Sequence, residues 1–226
     1  NFPLYLNLAK LGPALAAGCT IVLKPAPDTP WSATVVGRLI AEKTEIPAGV
    51  VNIVASSDHA LGEMLAADPR VDGVTFTGST ATGRRVMEVA SRTVKKVFLE
   101  LGGKSANVIL DDADAGAFGA GILTCTHGGQ GCAITTRMLV PRRRYDEALG
   151  ILEAAFRGAK YGDPNDPGVL QGPQVSKRQQ ERVLDYIEKG KREGARLVVG
   201  GGRPAHLPKG FYVEPTLFSD VDPKAT

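Results

Sequence analysis

A parallel α/β fold follows from three features of these 226 residues. Short β-branched runs alternate with single amphipathic segments over the first hundred residues, the pattern of right-handed β-α-β crossovers with helices covering both sheet faces. Polar residues with useful chemistry gather where those runs end, at Lys24, Thr77-Gly78-Ser79 and Glu100, and such sheets bind ligands at the carboxyl ends of their strands. After Gly102-Gly103 the alternation restarts. The expected organisation is therefore α/β throughout, with a Rossmann-like parallel-sheet domain over 1–101 and a second α/β domain over 102–226.

Each element can be justified in order. Phe2 to Ala17 reads as a helix despite Pro13, closed by Gly18, and Thr20 to Leu23 as a short strand ending at Lys24-Pro25. Pro30 to Lys43 carries Val35, Val36, Leu39 and Ile40 at helical spacing. Val50 to Val54 is a strand, Ala60 to Ala67 a helix, Val71 to Thr77 a strand, Ser79 to Ser91 a helix, and Val94 to Leu99 a strand. Beyond the glycines, Ala106 to Leu110 is a strand, and Asp111-Asp112-Ala113-Asp114 an acidic helix start that suits the macrodipole. Met138 to Val140 is a strand and Tyr145 to Ala159 a helix. Ser176 and Gln179 form a capping box for a helix through Glu193, and Arg196 to Val199 is a strand before the turn Gly200-Gly201-Gly202. Asp163 and Asp166, in a loop rich in Pro, Asn and Gly, are turn formers.

Composition excludes several functions. Charged residues at 23%, hydrophobic ones at 43% and a net charge of +3 suit an ordinary globular protein. Aromatics total only 6% and the basic residues are dispersed, so nucleic acid is not an expected partner. The cluster Arg142-Arg143-Arg144 reads as a solvated loop. No apolar run is long enough for a membrane span. Cys19, Cys125 and Cys132 lack C-x-x-C spacing, which argues against a disulfide framework or a zinc site and favours a reducing, cytoplasmic compartment. His59, His127 and His206 show no metal-ligand spacing.

The chemistry concentrates in a thiol and a carboxylate. Cys132 follows Gly128-Gly129-Gln130-Gly131, a poor sequence for core packing and a good one for an accessible thiol, which a helix start or nearby base would activate. Glu100 stands between Leu99 and Leu101 and before two glycines. A buried setting there would raise its pKa toward that of a base useful at neutral pH, and a solvated strand end is the plainer alternative. Together they are the parts for covalent attack on a carbonyl. Gly78-Ser79-Thr80-Ala81-Thr82-Gly83 is a loose Gly-x4-Gly turn where Ser79 can cap a helix, hold phosphate on the same orphan donors, or do both. Lys24 is either a surface charge or a donor to a ribose hydroxyl.

The ordered series Asn1-Phe2-Pro3-Leu4, Lys24-Pro25-Ala26, Phe76-Thr77-Gly78-Ser79, Leu99-Glu100-Leu101-Gly102-Gly103-Lys104-Ser105, Gly129-Gln130-x-Cys132 and Gln171-Gly172-Pro173 resembles the NAD(P)-dependent aldehyde dehydrogenases over essentially the whole chain. The resemblance implies that Cys132 attacks an aldehyde to give a thiohemiacetal. Asn1 and the Cys132 backbone N–H would stabilise the oxyanion, a donor of this kind being worth about 2.7–4 kcal/mol. Hydride would then pass to nicotinamide, and Glu100 would activate the water that hydrolyses the resulting thioester. Lys24 would hold the adenosine ribose, Gly78, Ser79 and the Gly83 turn would lie by the pyrophosphate, and Leu101 near the nicotinamide amide.

Departures narrow what is carried over. Pro27 stands where relatives often have Glu, a carboxylate that favours the unphosphorylated ribose, so NAD and NADP both stay open. Cys125 and Gly131 are atypical near the substrate entrance. Relatives are about twice as long by resemblance, so the chain is expected to be a central fragment, holding parts of a cofactor domain and of a catalytic domain. Such a fragment is expected to be inactive alone, whereas the full-length enzyme would be a homo-oligomer, dimer or tetramer. The alternative from another class is a non-catalytic binding or structural module that keeps the fold.

Overall fold

The computed structural model describes residues 1–226, and the chain separates into two units, Asn1–Gly103 and Lys104–Thr226. In the first unit, helices α1 (Pro3–Ala16), α2 (Trp31–Lys43), α3 (Ala60–Ala67) and α4 (Thr80–Ala90) alternate with strands β1 (Ile21–Leu23), β2 (Val51–Ile53), β3 (Gly73–Gly78) and β4 (Lys96–Leu101). Both pairings are parallel, β1 with β2 from Ile21↔Val51 to Leu23↔Ile53, and β3 with β4 from Gly73↔Lys96 to Gly78↔Leu101. The alternation is thus the expected one, with boundaries shifted by a residue or two.

Two expectations about the sheet are corrected. The strands form two separate two-stranded ladders, not one continuous sheet. Nor are both faces covered. In β4, Val97, Leu99 and Leu101 are partly buried, while Lys96, Phe98 and Glu100 face outward, Phe98 being 70% exposed. The period of two puts sequence neighbours on opposite faces. Helix α4 packs on β3 and β4 from one side only. A second apolar cluster joins Leu11 of α1, Leu23 of β1, and Ala33 and Val36 of α2, with Ile21, Ile40, Val51 and Ile53 against it.

The second unit contains β5 (Ala106–Val108), α5 (Gly116–Gly119), a 3-10 stretch over Ala120–Gly129, β6 (Arg137–Leu139), α6 (Tyr145–Gly158), α7 (Lys177–Arg192), β7 (Arg196–Val199) and β8 (Leu217–Ser219). Strands β5 and β6 are parallel, β7 and β8 antiparallel. Strand β8 is an element that the sequence pattern did not predict. The acidic helix start lies later than expected: Asp111, Asp112 and Asp114 all precede the helix, and Asp114 Oδ1 accepts the Gly116 N–H at 2.8 Å across the turn that leads into it. Ser176 caps α7 through the Gln179 N–H at 3.4 Å. Asp163 and Asp166 accept the Asn165 and Gly168 N–H groups, as turn formers do.

The arginine run is not simply solvated. Its residues form a 3-10 turn in which the Arg144 side chain is only 15% exposed, lies over the Phe118 ring at 4.6 Å, and donates to the Ala113 carbonyl and to Glu147. A buried guanidinium is retained because it is hydrogen-bonded and stacked. Phe118 itself is fully buried among Ile109 and Ala148, and beside it Cys125, Leu152 and Phe156 form a further cluster.

Candidate active site

In the first unit, the carboxyl ends of β1, β3 and β4 carry the expected polar residues. Ser79 is the N-cap of α4, with extended backbone (φ −75°, ψ 150°), and its Oγ accepts the Thr82 N–H at 3.2 Å. The remaining first-turn N–H groups of such a helix have no acceptor within the helix and carry its positive dipole end. Gly83 is buried one turn on, and a Cβ there would meet Leu101 Cδ2 at 2.7 Å. Its bare backbone lets α4 approach β4, so the direct effect of Gly83 is packing against Leu101. Gly78 closes β3, and a Cβ on it would strike the Phe76 ring at 2.5 Å.

Lys24 follows β1 directly. Its Nζ donates to the Pro25 carbonyl at 2.8 Å, and its stem lies along Gly62 of α3, where a Cβ would come within 3.4 Å of Lys24 Cε. Partial burial holds its pKa below the usual lysine range. It is therefore neither free surface charge nor fully sequestered. Glu100 is exposed, in register with Thr77 on β3, so of the two settings its sequence leaves open the solvated strand end is the one found. Asn1 is exposed just before α1.

One first-unit residue escaped the sequence reading. Lys10 of α1 donates from Nζ to Thr77 Oγ1 at 2.7 Å. Burial pulls its pKa down, and the Glu100 carboxylate acts in the opposite direction. A partly buried cation is thereby held at the β3 end beside the carboxylate. The signal was present: Lys10 follows Asn7 by three residues and precedes Leu11, and Asn7 and Leu11 form the buried stripe of α1. A charge beside a buried stripe asks for a partner.

In the second unit, Cys132 is half-buried and sits in a turn closed by the Ile134 N–H on the Gly131 carbonyl at 3.2 Å. It is not at a helix start, which leaves a nearby base as the other source of activation weighed from the sequence. Ahead of it, His127, Gly128 and Gly129 all have left-handed backbone, with φ of 58°, 60° and 71°. The Gln130 side chain donates to the His127 carbonyl at 2.7 Å across that turn. The contrast with Cys125 is sharp. Cys125 is 4% exposed in the core with Leu152 and Phe156, and burial pushes its thiol up to about 11. One thiol is sealed in an apolar cluster, whereas the other is presented by a glycine turn. No helix is long and apolar enough to cross a membrane.

The first unit thus offers a parallel-stranded α/β frame with strand-end cations and a capped helix start, and the second a thiol on a glycine turn. The aldehyde dehydrogenase family model matches residues 1–226, and the chain belongs to that family. Among characterised relatives, 3-succinoylsemialdehyde-pyridine dehydrogenase of a Pseudomonas species is 46% identical over 225 residues, covering 98% of this chain and 47% of the relative. A crystal structure of Mycobacterium tuberculosis aldehyde dehydrogenase with NAD+ superimposes with a TM-score of 0.94 at 46% identity, covering 99% of this chain and 46% of that one. A cysteine-to-alanine variant of Pseudomonas syringae aldehyde dehydrogenase C, with NAD+ and octanal, gives 0.95 at 41% identity, covering 99% and 47%. The chain thus spans about half the length of the relatives it matches.

Proposed function

We propose that the protein carrying this chain oxidises an aldehyde to a carboxylic acid with NAD or NADP, and that Cys132 is the nucleophile. The observation that carries the proposal is the contrast between the two neighbouring thiols. Cys125 is locked in the core, whereas Cys132 is delivered half-buried just after a run of three left-handed residues. Strained backbone of this kind persists where the surrounding structure over-determines it, and it concentrates at functional sites.

Cys132 adds to the aldehyde carbon, and the oxyanion that forms takes hydrogen bonds from the Asn1 amide and the Cys132 N–H. Glu100 accepts a proton from the water that later hydrolyses the Cys132 thioester, and its outward position on β4 leaves it open to water. Lys10, fixed on Thr77, holds a partly buried positive charge beside Glu100 at that strand end. The first unit's residues fit a nicotinamide dinucleotide. Ser79 and the unbonded start of α4, with Gly78, would take the pyrophosphate, and Lys24, with one donor on Pro25 and others to spare, would take ribose hydroxyls. Gly83 contributes by seating α4 on Leu101, which would lie by the nicotinamide amide. When bound, that cofactor supplies the hydride acceptor. Pro27, where a ribose-binding carboxylate is common, leaves room for either NAD or NADP.

The same proposal places the enzyme in the cytoplasm, where the three free thiols of this chain stay reduced, and as a homodimer or homotetramer. The 226-residue chain alone is expected to be inactive. The test is NAD(P)H formation at 340 nm by the full-length protein with a panel of aldehydes. Cys132→Ala should abolish it, and Glu100→Gln should keep a single burst of NAD(P)H while slowing later turnovers. Full steady-state turnover by Cys132→Ala would refute the proposal.

A further inference from the structure

The turn leading into Cys132 is costly to hold, and the structure shows what is wedged beside it. Thr126 is extended (φ −58°, ψ 139°), and then His127 and Gly128 are both left-handed (φ 58°, ψ 21° and φ 60°, ψ 31°), followed by Gly129 at φ 71°. His127 carries a Cβ, for which this conformation is unfavourable. Within the turn, the Gln130 backbone N–H and Nε2 both reach the His127 carbonyl, at 3.2 and 2.7 Å.

From outside the turn comes the carboxamide of Gln174. A methyl group on Gly128 would lie 2.7 Å from Gln174 Nε2 and 3.7 Å from its Cδ. Gly128 is therefore required twice, for its backbone angle and for the space that Gln174 fills. Gln174 is only 3% exposed, and its backbone is anchored by donation to the Phe211 carbonyl at 3.0 Å. Gln171 and Gln180 fasten the same segment, donating to the Val213 and Tyr212 carbonyls at 2.7 Å each. Yet Gln174 Oε1 is buried with no hydrogen-bond partner. An unsatisfied buried acceptor calls for an explanation. For packing alone, a Leu or Met of similar size would avoid that cost. A flat amide can lie against the peptide plane at Gly128, where a tetrahedral branch cannot.

We propose that Gln174 is a positioning residue for Cys132: its planar carboxamide, set against Gly128, holds the left-handed turn that presents the nucleophile. The proposal rests on Cys132 being that nucleophile. It predicts that Gln174 governs thiol reactivity and chemistry while leaving cofactor binding alone.

The test is made on the full-length enzyme with Gln174→Ala, Gln174→Met, Gln174→Glu, Gly128→Ala and the double variant Gly128→Ala/Gln174→Ala. The expected result is that Gln174→Ala and Gln174→Met each lower kcat and the rate of Cys132 alkylation by iodoacetamide at least tenfold, with KM for NAD(P) within twofold of the parent. Gln174→Glu, planar and isosteric, should recover activity relative to the parent as the pH falls and its carboxyl becomes neutral. Gly128→Ala should cost several-fold less in the Gln174→Ala background than alone, because the amide it collides with is gone. Cys125 reports folding throughout. If Gln174→Ala exposes it to label, Gln174→Met keeps the volume and carries the same comparison. If Cys132 of the parent reacts no faster than Cys19, the nucleophile assignment falls and this proposal with it. If Cys132 stands out in the parent but its rate and kcat are unchanged in Gln174→Met, or the Gly128 and Gln174 effects simply add, only the role of Gln174 is overturned.

Discussion

Three cysteines in three environments make a quantitative experiment. Cys125, with its thiol pushed up to about 11, holds a thiolate fraction at pH 7 of about one part in ten thousand. An ordinary thiol near pKa ~8.5 holds about 3%. Since the thiolate is the nucleophile, charge state alone makes Cys125 about 300-fold slower than an ordinary thiol toward iodoacetamide, before its 4% exposure is counted. Limited alkylation of the native full-length protein, read by peptide mass spectrometry, should therefore label Cys132 first, exposed Cys19 second and Cys125 last. Raising the pH from 7 to 9 should multiply the Cys125 thiolate about 100-fold, against about 25-fold for an ordinary thiol, although burial keeps the absolute rate low. Two results would count against the reasoning. Labelling of native Cys125 at the rate of Cys19 would contradict its place in the core. A Cys132 rate no higher than that of Cys19 would remove the nucleophile assignment.

Two further outcomes follow from the first unit. Ser79→Ala removes the cap of α4 and should cost about 1 kcal/mol, a fall of about 2–4 °C in Tm for a chain of this size. It should also raise KM for NAD(P), and an unchanged Tm would show that the cap bond carries no weight. For Lys10, burial sets the folded pKa below the ordinary 10.5. Between those two values the unfolded chain binds the extra proton, so the contribution of Lys10 to stability rises with pH through that window. In urea titrations, the parent should gain stability relative to Lys10→Met between pH 8 and pH 10.5, and a parallel pair of curves would contradict the burial of Lys10.

Much of the fold was legible because its signals are local. β-branched runs and helical stripes mark elements whatever their partners, and those of the first unit begin within a few residues of where the pattern puts them. Pairing is not local, so the pattern could indicate parallel strands without showing that β1–β2 and β3–β4 form separate ladders. Strand β8 was missed because Leu217-Phe218-Ser219 is a short run between Pro215 and Asp220, too brief to show a period. For Glu100 the sequence leaves a buried setting and a solvated strand end open, and strand alternation decides for the second by turning Leu99 and Leu101 to the other face. The glutamines at 171 and 174 gave no signal at all, since a polar residue in a loop reads as solvated until the backbone it fastens is known. Gln180 did leave one, standing seven residues before buried Ile187 on the inner face of α7.

The outward strand faces lead to the final prediction. Phe98, Val108, Leu110 and Leu139 are 70%, 60%, 64% and 51% exposed, and Val22 is 48% exposed. All lie on strands that pair in parallel or, for Leu110, two residues beyond one. Parallel sheets are ordinarily covered on both faces, and fully burying one such side chain contributes about 1.5–3 kcal/mol. Several uncovered together are a strong drive to bury surface by association. The 226-residue chain produced on its own should therefore bind an apolar dye such as ANS and self-associate in sedimentation at micromolar concentration. Phe98→Ser should reduce both effects while leaving helix content unchanged, because its ring packs against neither α4 nor the Leu11 cluster. A monomeric chain without dye binding would mean that these faces are covered in solution, and the one-sided packing of β3 and β4 described above would be wrong.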